Sequence, residues 1–153
     1  MKPIVTIPLV LALLASGPAH GQAIAGGPFP ATFEAIQANV FTPSCALGFC
    51  HGAAMQAGMD LRAGAAYDMI VNVPSVELAG WDRIEPFDPA NSFLVCKLEA
   101  CPSLVGQQMP LIGGPLDPSV IAVIKQWVLE GALEFPNIAV EATSWGQVKA
   151  TYR

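Results

Sequence analysis

Cys45-Ala46-Leu47-Gly48-Phe49-Cys50-His51 is the stretch on which the reading of this chain turns. Two thiols flank four residues, and an imidazole follows the second thiol directly. Upstream, Phe33, Ile36, Val40 and Phe41 recur at helical spacing, with Thr32 as a candidate N-cap and Glu34 and Ala35 in the first turn. Pro43 is expected to stop this helix just before Cys45, because proline lacks the amide that continues the ladder. Downstream, Cys45 to Asp60 is rich in Gly and Ala and reads as a loop. The three donors therefore stand at the end of a helix, where the backbone is free to gather them.

The rest of the chain reads as helices joined by long turns. Gly64 to Asn72 suits a short helix with Tyr67, Met69, Ile70 and Val71 inward, ended by Pro74. Ser75 to Phe87 is irregular. Pro89 to Ala100 predicts a helix with Phe93, Leu94 and Leu98 on one side. Cys101 to Leu116 has Gly and Pro turns and no periodicity. Asp117 then caps the strongest helix, with Pro118 at its first position and Val120, Ile121, Val123, Ile124, Trp127 and Val128 as its buried stripe. Gly131 is the expected stop. No alternating strand pattern of useful length appears, so the fold class is all-α.

Composition narrows the function classes. The 153 residues support one compact domain. Only 12% are charged and 53% are hydrophobic, against about 25% charged in an average domain. That balance excludes a disordered chain. A formal charge of -5 lacks the basic footprint of a nucleic-acid binder. Part of the shortage of charge lies in residues 1–23, which read as a cleaved signal peptide. Lys2 is followed by an apolar run from Ile4 to Ala15, too short to span a bilayer, and then by small residues. Residues 24–30 form an irregular lead-in, 31–135 the domain and 136–153 a tail with a basic, aromatic end (Trp145, Lys149, Tyr152, Arg153). Without the leader, six basic residues face twelve acidic ones, His51 is the one histidine, and no span remains. Export puts the protein in the periplasm, outside the cell or on its surface, where all four cysteines need partners.

The chemistry of the opening stretch follows from its donors. In C-x-x-C-H, two thioethers tether haem and the adjacent histidine ligates its iron. Here the spacer is four residues, and Gly48 gives it room to loop out. A second axial ligand would be soft and uncharged. Met109, in the irregular segment before the last helix, suits that role better than Met55, Met59 or Met69. Met69 sits on a helical stripe and reads as core, while Met55 and Met59 lie close in sequence to His51. Cys96 and Cys101 straddle a helix end and can form a disulfide that pins the start of the Met109 segment, provided the helix unwinds there. Arg83, with Trp81, is a candidate to lie over a haem propionate and pair its charge.

On these residues the chain resembles monohaem class I c-type cytochromes, and more narrowly the small exported bacterial cytochrome-c-like domains called planctomycete-type. The likeness is carried by Phe41-Thr42-Pro43-Ser44-Cys45, Cys50-His51-Gly52, Ala57-Gly58-Met59-Asp60-Leu61, Val71-Asn72-Val73-Pro74-Ser75, Asp88-Pro89-Ala90-Asn91-Ser92-Phe93-Leu94, Lys97-Leu98, Met109-Pro110-Leu111 and Ile124-Lys125-Gln126-Trp127-Val128. It implies a cytochrome c-like fold with crossed first and last helices around a haem pocket. It also implies one covalently attached haem c, with His51 as proximal and Met109 as distal ligand. Phe87 stands where relatives carry Gly before Asp-Pro, so a different turn is expected there.

With both axial positions filled, the expected activity is one-electron transfer rather than catalysis, to a redox partner protein with a basic docking patch. A second reading keeps the scaffold without haem. Cys45–Cys50 and Cys96–Cys101 would then be disulfides, and the domain a binding or accessory module. A third is a haem enzyme or gas sensor from which Met109 detaches.

Overall fold

The computed structural model describes residues 27–136. The expected signal peptide, the first three residues of the lead-in and nearly all of the tail fall outside the described residues. Within them the chain is helix-rich and has no strand, only isolated bridges such as Val71 with Ile84 and Asp82 with Ser92. No described helix is long and apolar enough to cross a membrane.

The first helix, α1, spans Phe33–Ile36 and is capped by Thr32, whose Oγ1 accepts from the Ala35 amide at 3.2 Å. It does not stop at Pro43 as expected. It continues as a wider π-helical stretch over Gln37–Cys45 with Pro43 inside, and the Ala46 amide donates to the Phe41 carbonyl five residues back at 2.7 Å. A proline ring clashes with the carbonyl four residues earlier in an α-helix, and a widened turn gives that carbonyl room. Cys45 is thus the last residue of a helix rather than the first of a loop. The inward stripe holds: Ile36, Val40 and Phe41 are buried.

Helix α2 covers Ala66–Ile70 and buries Ala66 and Ile70. The helix expected over residues 89–100 is divided. A single 3-10 turn, Pro89–Asn91, is capped by Asp88, and α3 runs from Phe93 to Glu99. Ser92 makes the break. Fully buried, it donates to the Asp88 carbonyl and accepts from the Glu85 amide at 2.9 Å, a local bond that competes with helix continuation. Phe87, just before, takes φ +69°, the left-handed conformation that favours glycine. The turn therefore keeps a glycine-like shape despite the phenylalanine. Its ring lies over Gly131, where a Cβ would come within 2.8 Å of it.

The last helix, α4, spans Pro118–Leu129. Asp117 caps it through the Ser119 amide at 2.8 Å, and Pro118 opens it. Gly131 follows at φ +99°. α4 packs on α1 and α3. Its contact with α1 is aromatic: the Phe33 ring lies 5.8 Å from Trp127, and meets Tyr67 at 5.2 Å and Phe41 at 6.4 Å edge-on. Trp127 is 2% exposed, and its indole nitrogen donates to the Leu133 carbonyl at 2.8 Å, so it is core, as expected. Gln37 crosses the helix–loop boundary, donating to the Leu61 carbonyl at 3.0 Å, while its Oε1 is buried without a partner.

Trp127→Ala removes this contact and the indole bond together. It should lower the unfolding free energy by about 3–5 kcal/mol, read from denaturant titration. At the next turn, Asp60 is held by Arg62 through side-chain bonds of 2.6–3.1 Å, which lower its pKa from 3.8 to about 2. A carboxyl with a lowered native pKa stabilises the fold fully above the unfolded value and loses that stabilisation as pH falls through the native value. The stability difference between wild type and Asp60→Asn should therefore shrink between pH 4 and pH 2.

Candidate functional site

The loop after the π-helical stretch folds back on itself. The Cys50 and Gly52 amides both donate to the Leu47 carbonyl, at 2.9 and 3.1 Å. The His51 amide donates to the Cys45 carbonyl at 3.1 Å, as an i→i−4 bond would do in a helical turn with a two-residue spacer. Gly52 is required by this closure. A Cβ there would press on the Ala46 carbonyl and stand 2.8 Å from that of Leu47, and both are backbone atoms that cannot swing away.

The His51 ring is half-buried, and its Nδ1 lies 2.9 Å from the Gln56 carbonyl oxygen. A carbonyl only accepts, so Nδ1 carries the proton of that bond. The neutral ring then keeps Nε2 as its lone-pair nitrogen. Cys45 is half-buried, and burial, with the neighbouring Cys50 thiol second, pushes its pKa up to about 11. It is therefore a neutral thiol at physiological pH. Neither Cys45 nor Cys50 is bridged.

Met109 is brought in from the far side of the sequence by bonds to α3. Its amide donates to the Lys97 carbonyl at 2.9 Å, and the Gln108 side-chain amide donates to the Leu98 carbonyl at 2.8 Å. The Lys97 ammonium is nearly buried and donates to the Val105 carbonyl at 2.7 Å and to Glu77 at 2.9 Å. Cys96 and Cys101 form the expected disulfide, with Cα atoms 4.8 Å apart. The helix does end between them, at Ala100, which turns left-handed at φ +55° and returns Cys101 to the Cys96 carbonyl.

Arg83 is 8% exposed. Its Nη1 donates to the Met69 carbonyl at 2.6 Å and its Nη2 to those of Ala57 and Gly58 at 2.9 and 3.4 Å. Desolvation lowers its pKa from the ordinary arginine value. Among the described residues no carboxylate forms an ion pair with it.

These pieces line one partly open cavity of about 470 Å³, within the roughly 300–1,000 Å³ typical of cofactor and ligand sites. Cys45, Cys50, His51, Met109 and Arg83 all line it, and most of the remaining wall is apolar, including Phe41, Leu61 and Leu94. Trp81 lies outside the lining. Of the rival methionines, Met59 reaches the cavity, Met69 packs against the core, and Met55 is exposed. Among the described residues no three His, Cys, Asp or Glu side chains converge to hold a bare metal ion. The cavity carries one imidazole, two thioethers and two thiols, with the carboxylate of Glu77 paired to Lys97, a set that fits haem c: a planar apolar ring, two sulfur tethers and soft or borderline iron ligands.

Three participants carried no readable signal of their role. Gln56 acts through its backbone carbonyl. Lys97 and Glu77 meet across 20 residues, and only the fold brings them together. No family model matches the chain, and neither a curated protein nor a solved structure matches it at a significant level.

Gly52→Ala should destabilise the fold by about 1–3 kcal/mol, because the loop must open to admit the methyl group. Gly48→Ala, in open space on the same loop, should lie within about 0.5 kcal/mol of wild type. Denaturant unfolding of the pair checks both.

Proposed function

We propose that this chain is an exported single-haem c-type cytochrome that carries one electron at a time. The observation that carries the reading is the convergence on one apolar cavity of Cys45, Cys50, Met109 and a His51 whose Nδ1 is already committed to a carbonyl. Metal-ligating histidines characteristically donate their second ring nitrogen in this way, which fixes the tautomer and orients the ring. Haem bound there supplies a ferric/ferrous one-electron couple. Cys45 and Cys50 would hold it through thioether bonds, and His51 Nε2 and Met109 would ligate its iron. The apolar wall would shield the ring from water on its buried side. Arg83, buried without a carboxylate among the described residues, places positive charge at the wall where a ring propionate could meet it.

Further support comes from the unequal state of the cysteines. Cys96–Cys101 is bridged while Cys45 and Cys50 remain thiols, so the pair beside His51 is the one left for a cofactor. This weighs against the haem-free reading with two disulfides. The contact of α1 with α4 through Phe33 and Trp127 suits the crossed helices of a cytochrome c-like fold. An iron ligated by both His51 and Met109 would offer no site to a substrate, which favours a carrier over an enzyme. The disulfide suits an oxidising compartment. Among the described residues the four basic side chains are all engaged: Arg62, Lys97 and Lys125 with carboxylates, Arg83 with carbonyls. Glu34, Asp68, Glu85 and Glu130 leave the surface acidic, so the redox partner would dock through a basic patch in a salt-sensitive encounter.

The protein, exported from cells with a cytochrome c maturation system, should stain for haem on a denaturing gel and show a reduced-minus-oxidised haem spectrum. Cys45→Ala and Cys50→Ala should each weaken the stain, and the double variant should lose it. Met109→Ala should keep the stain and let the ferrous protein bind carbon monoxide, which wild type should not. Absence of haem bands from the wild-type protein would overturn the reading.

A further inference from the structure

The turn that holds the His51 ring is strained, and its bonds lead to Arg83. Gln56, whose carbonyl accepts from His51 Nδ1, is flanked by Met55 at φ +47° and Ala57 at φ +54°. Non-glycine residues held in left-handed conformations cost roughly 1–3 kcal/mol each, and they persist only where the surroundings over-determine them. Around this turn the Met55 amide reaches the Gly52 carbonyl, and the Gln56 amide reaches that of Cys50 at 3.1 Å. On the far side of the turn the Gly58 amide donates to the Met55 carbonyl at 2.9 Å and the Met59 amide to the Gln56 carbonyl at 3.2 Å, and one side chain reaches in from another segment. Arg83 Nη2 donates to the Ala57 and Gly58 carbonyls, the two that follow Gln56 directly. The guanidinium is anchored in turn by Nη1 on the Met69 carbonyl. Its own backbone is fixed at both ends, with the Arg83 amide on the Val73 carbonyl at 2.7 Å and its carbonyl accepting from Leu94 at 2.9 Å.

We propose that Arg83 is the positioning residue for His51. By clamping the Ala57 and Gly58 carbonyls it holds the Gln56 carbonyl at His51 Nδ1, and so fixes which ring nitrogen is left for a ligand. The proposal rests on the cytochrome reading for what that nitrogen binds, but the clamp itself is a property of the chain. A planar fork suits the task because its separate nitrogens present donors in fixed directions to carbonyls on two segments, whereas an ammonium is a single point on a flexible stem.

The test compares wild type, Arg83→Met and Arg83→Lys, each purified as exported and kept reduced. The rate at which the His51 Nδ1 proton exchanges with solvent deuterium is measured by NMR relative to the α4 amides. In Arg83→Met the Nδ1 proton should exchange roughly tenfold faster or more while the α4 amides keep their rates. Arg83→Lys should fall between. Adding Ala57→Gly to Arg83→Met should recover part of the protection, because glycine accepts the left-handed conformation unaided. Where haem is attached, the reduction potential should shift in the same order across the variants. An Nδ1 proton as protected as in wild type overturns the clamp, and so does a loss shared equally by the α4 amides. Should Arg83→Met not be recovered folded, Arg83→Lys decides by the same criterion. A wild-type protein without covalent haem would overturn the cytochrome reading instead, and the exchange comparison would still judge the clamp.

Discussion

An apolar cavity walled by irregular chain has to satisfy every backbone amide and carbonyl it takes out of water, and the arrangement of this protein answers to that demand. A helix or sheet meets it internally, but the segments around His51 and Met109 are neither. Their carbonyls are met by long polar side chains reaching across the cavity wall. Arg83 serves Met69, Ala57 and Gly58, and Lys97 serves Val105. Just outside the lining, Gln108 serves Leu98 and Gln37 serves Leu61. This explains a feature of composition. Two of the four basic residues among those described are buried at the cavity, and they work as hydrogen-bond donors to the backbone more than as surface charge.

The two walls are built differently. The Cys45–His51 side extends α1: a π-helical stretch passes Pro43, delivers Cys45, and closes a compact turn that only a glycine at 52 permits. The Met109 side has no helix of its own and is tied to α3 through the Cys96–Cys101 bridge, the Lys97 carbonyl and the Lys97 ammonium. A residue on such a loop can be presented to a cavity without being welded to it. The aromatic contact of Phe33 with Trp127 binds α1 to α4 and keeps the first wall in place.

Much of this was legible in the sequence where the signal is local. The caps at Thr32 and Asp117, the buried stripe of α4, the stop at Gly131 and the short helix within residues 64–72 each depend on a few neighbouring side chains. Where reading and structure part, a local rule met a competing contact. Pro43 should end a helix, yet a widened turn accommodates it. The run from Pro89 looks continuous, yet the buried hydroxyl of Ser92 bonds across the turn and splits it. Phe87 looked like a departure from a glycine position, and it adopts the glycine-like conformation with its ring over Gly131.

The sequence by itself determined the helical class, the start of α1, the end of α3, both ends of α4, and the candidate donors Cys45, Cys50, His51, Met109 and Arg83, because propensity, capping and spacing are properties of short stretches. Only the tertiary structure decided that these five line one cavity, that Gln56 rather than a side chain holds His51, and that Arg83 reaches the carbonyls beside it. Those relations join residues up to 64 positions apart, Cys45 to Met109, and nothing in local sequence states which irregular segments will share a wall. It also separated the cysteines into a bridged pair and a pair of thiols. Bridging requires two Cα atoms within reach and two side chains turned toward one another, and spacing alone leaves both undecided.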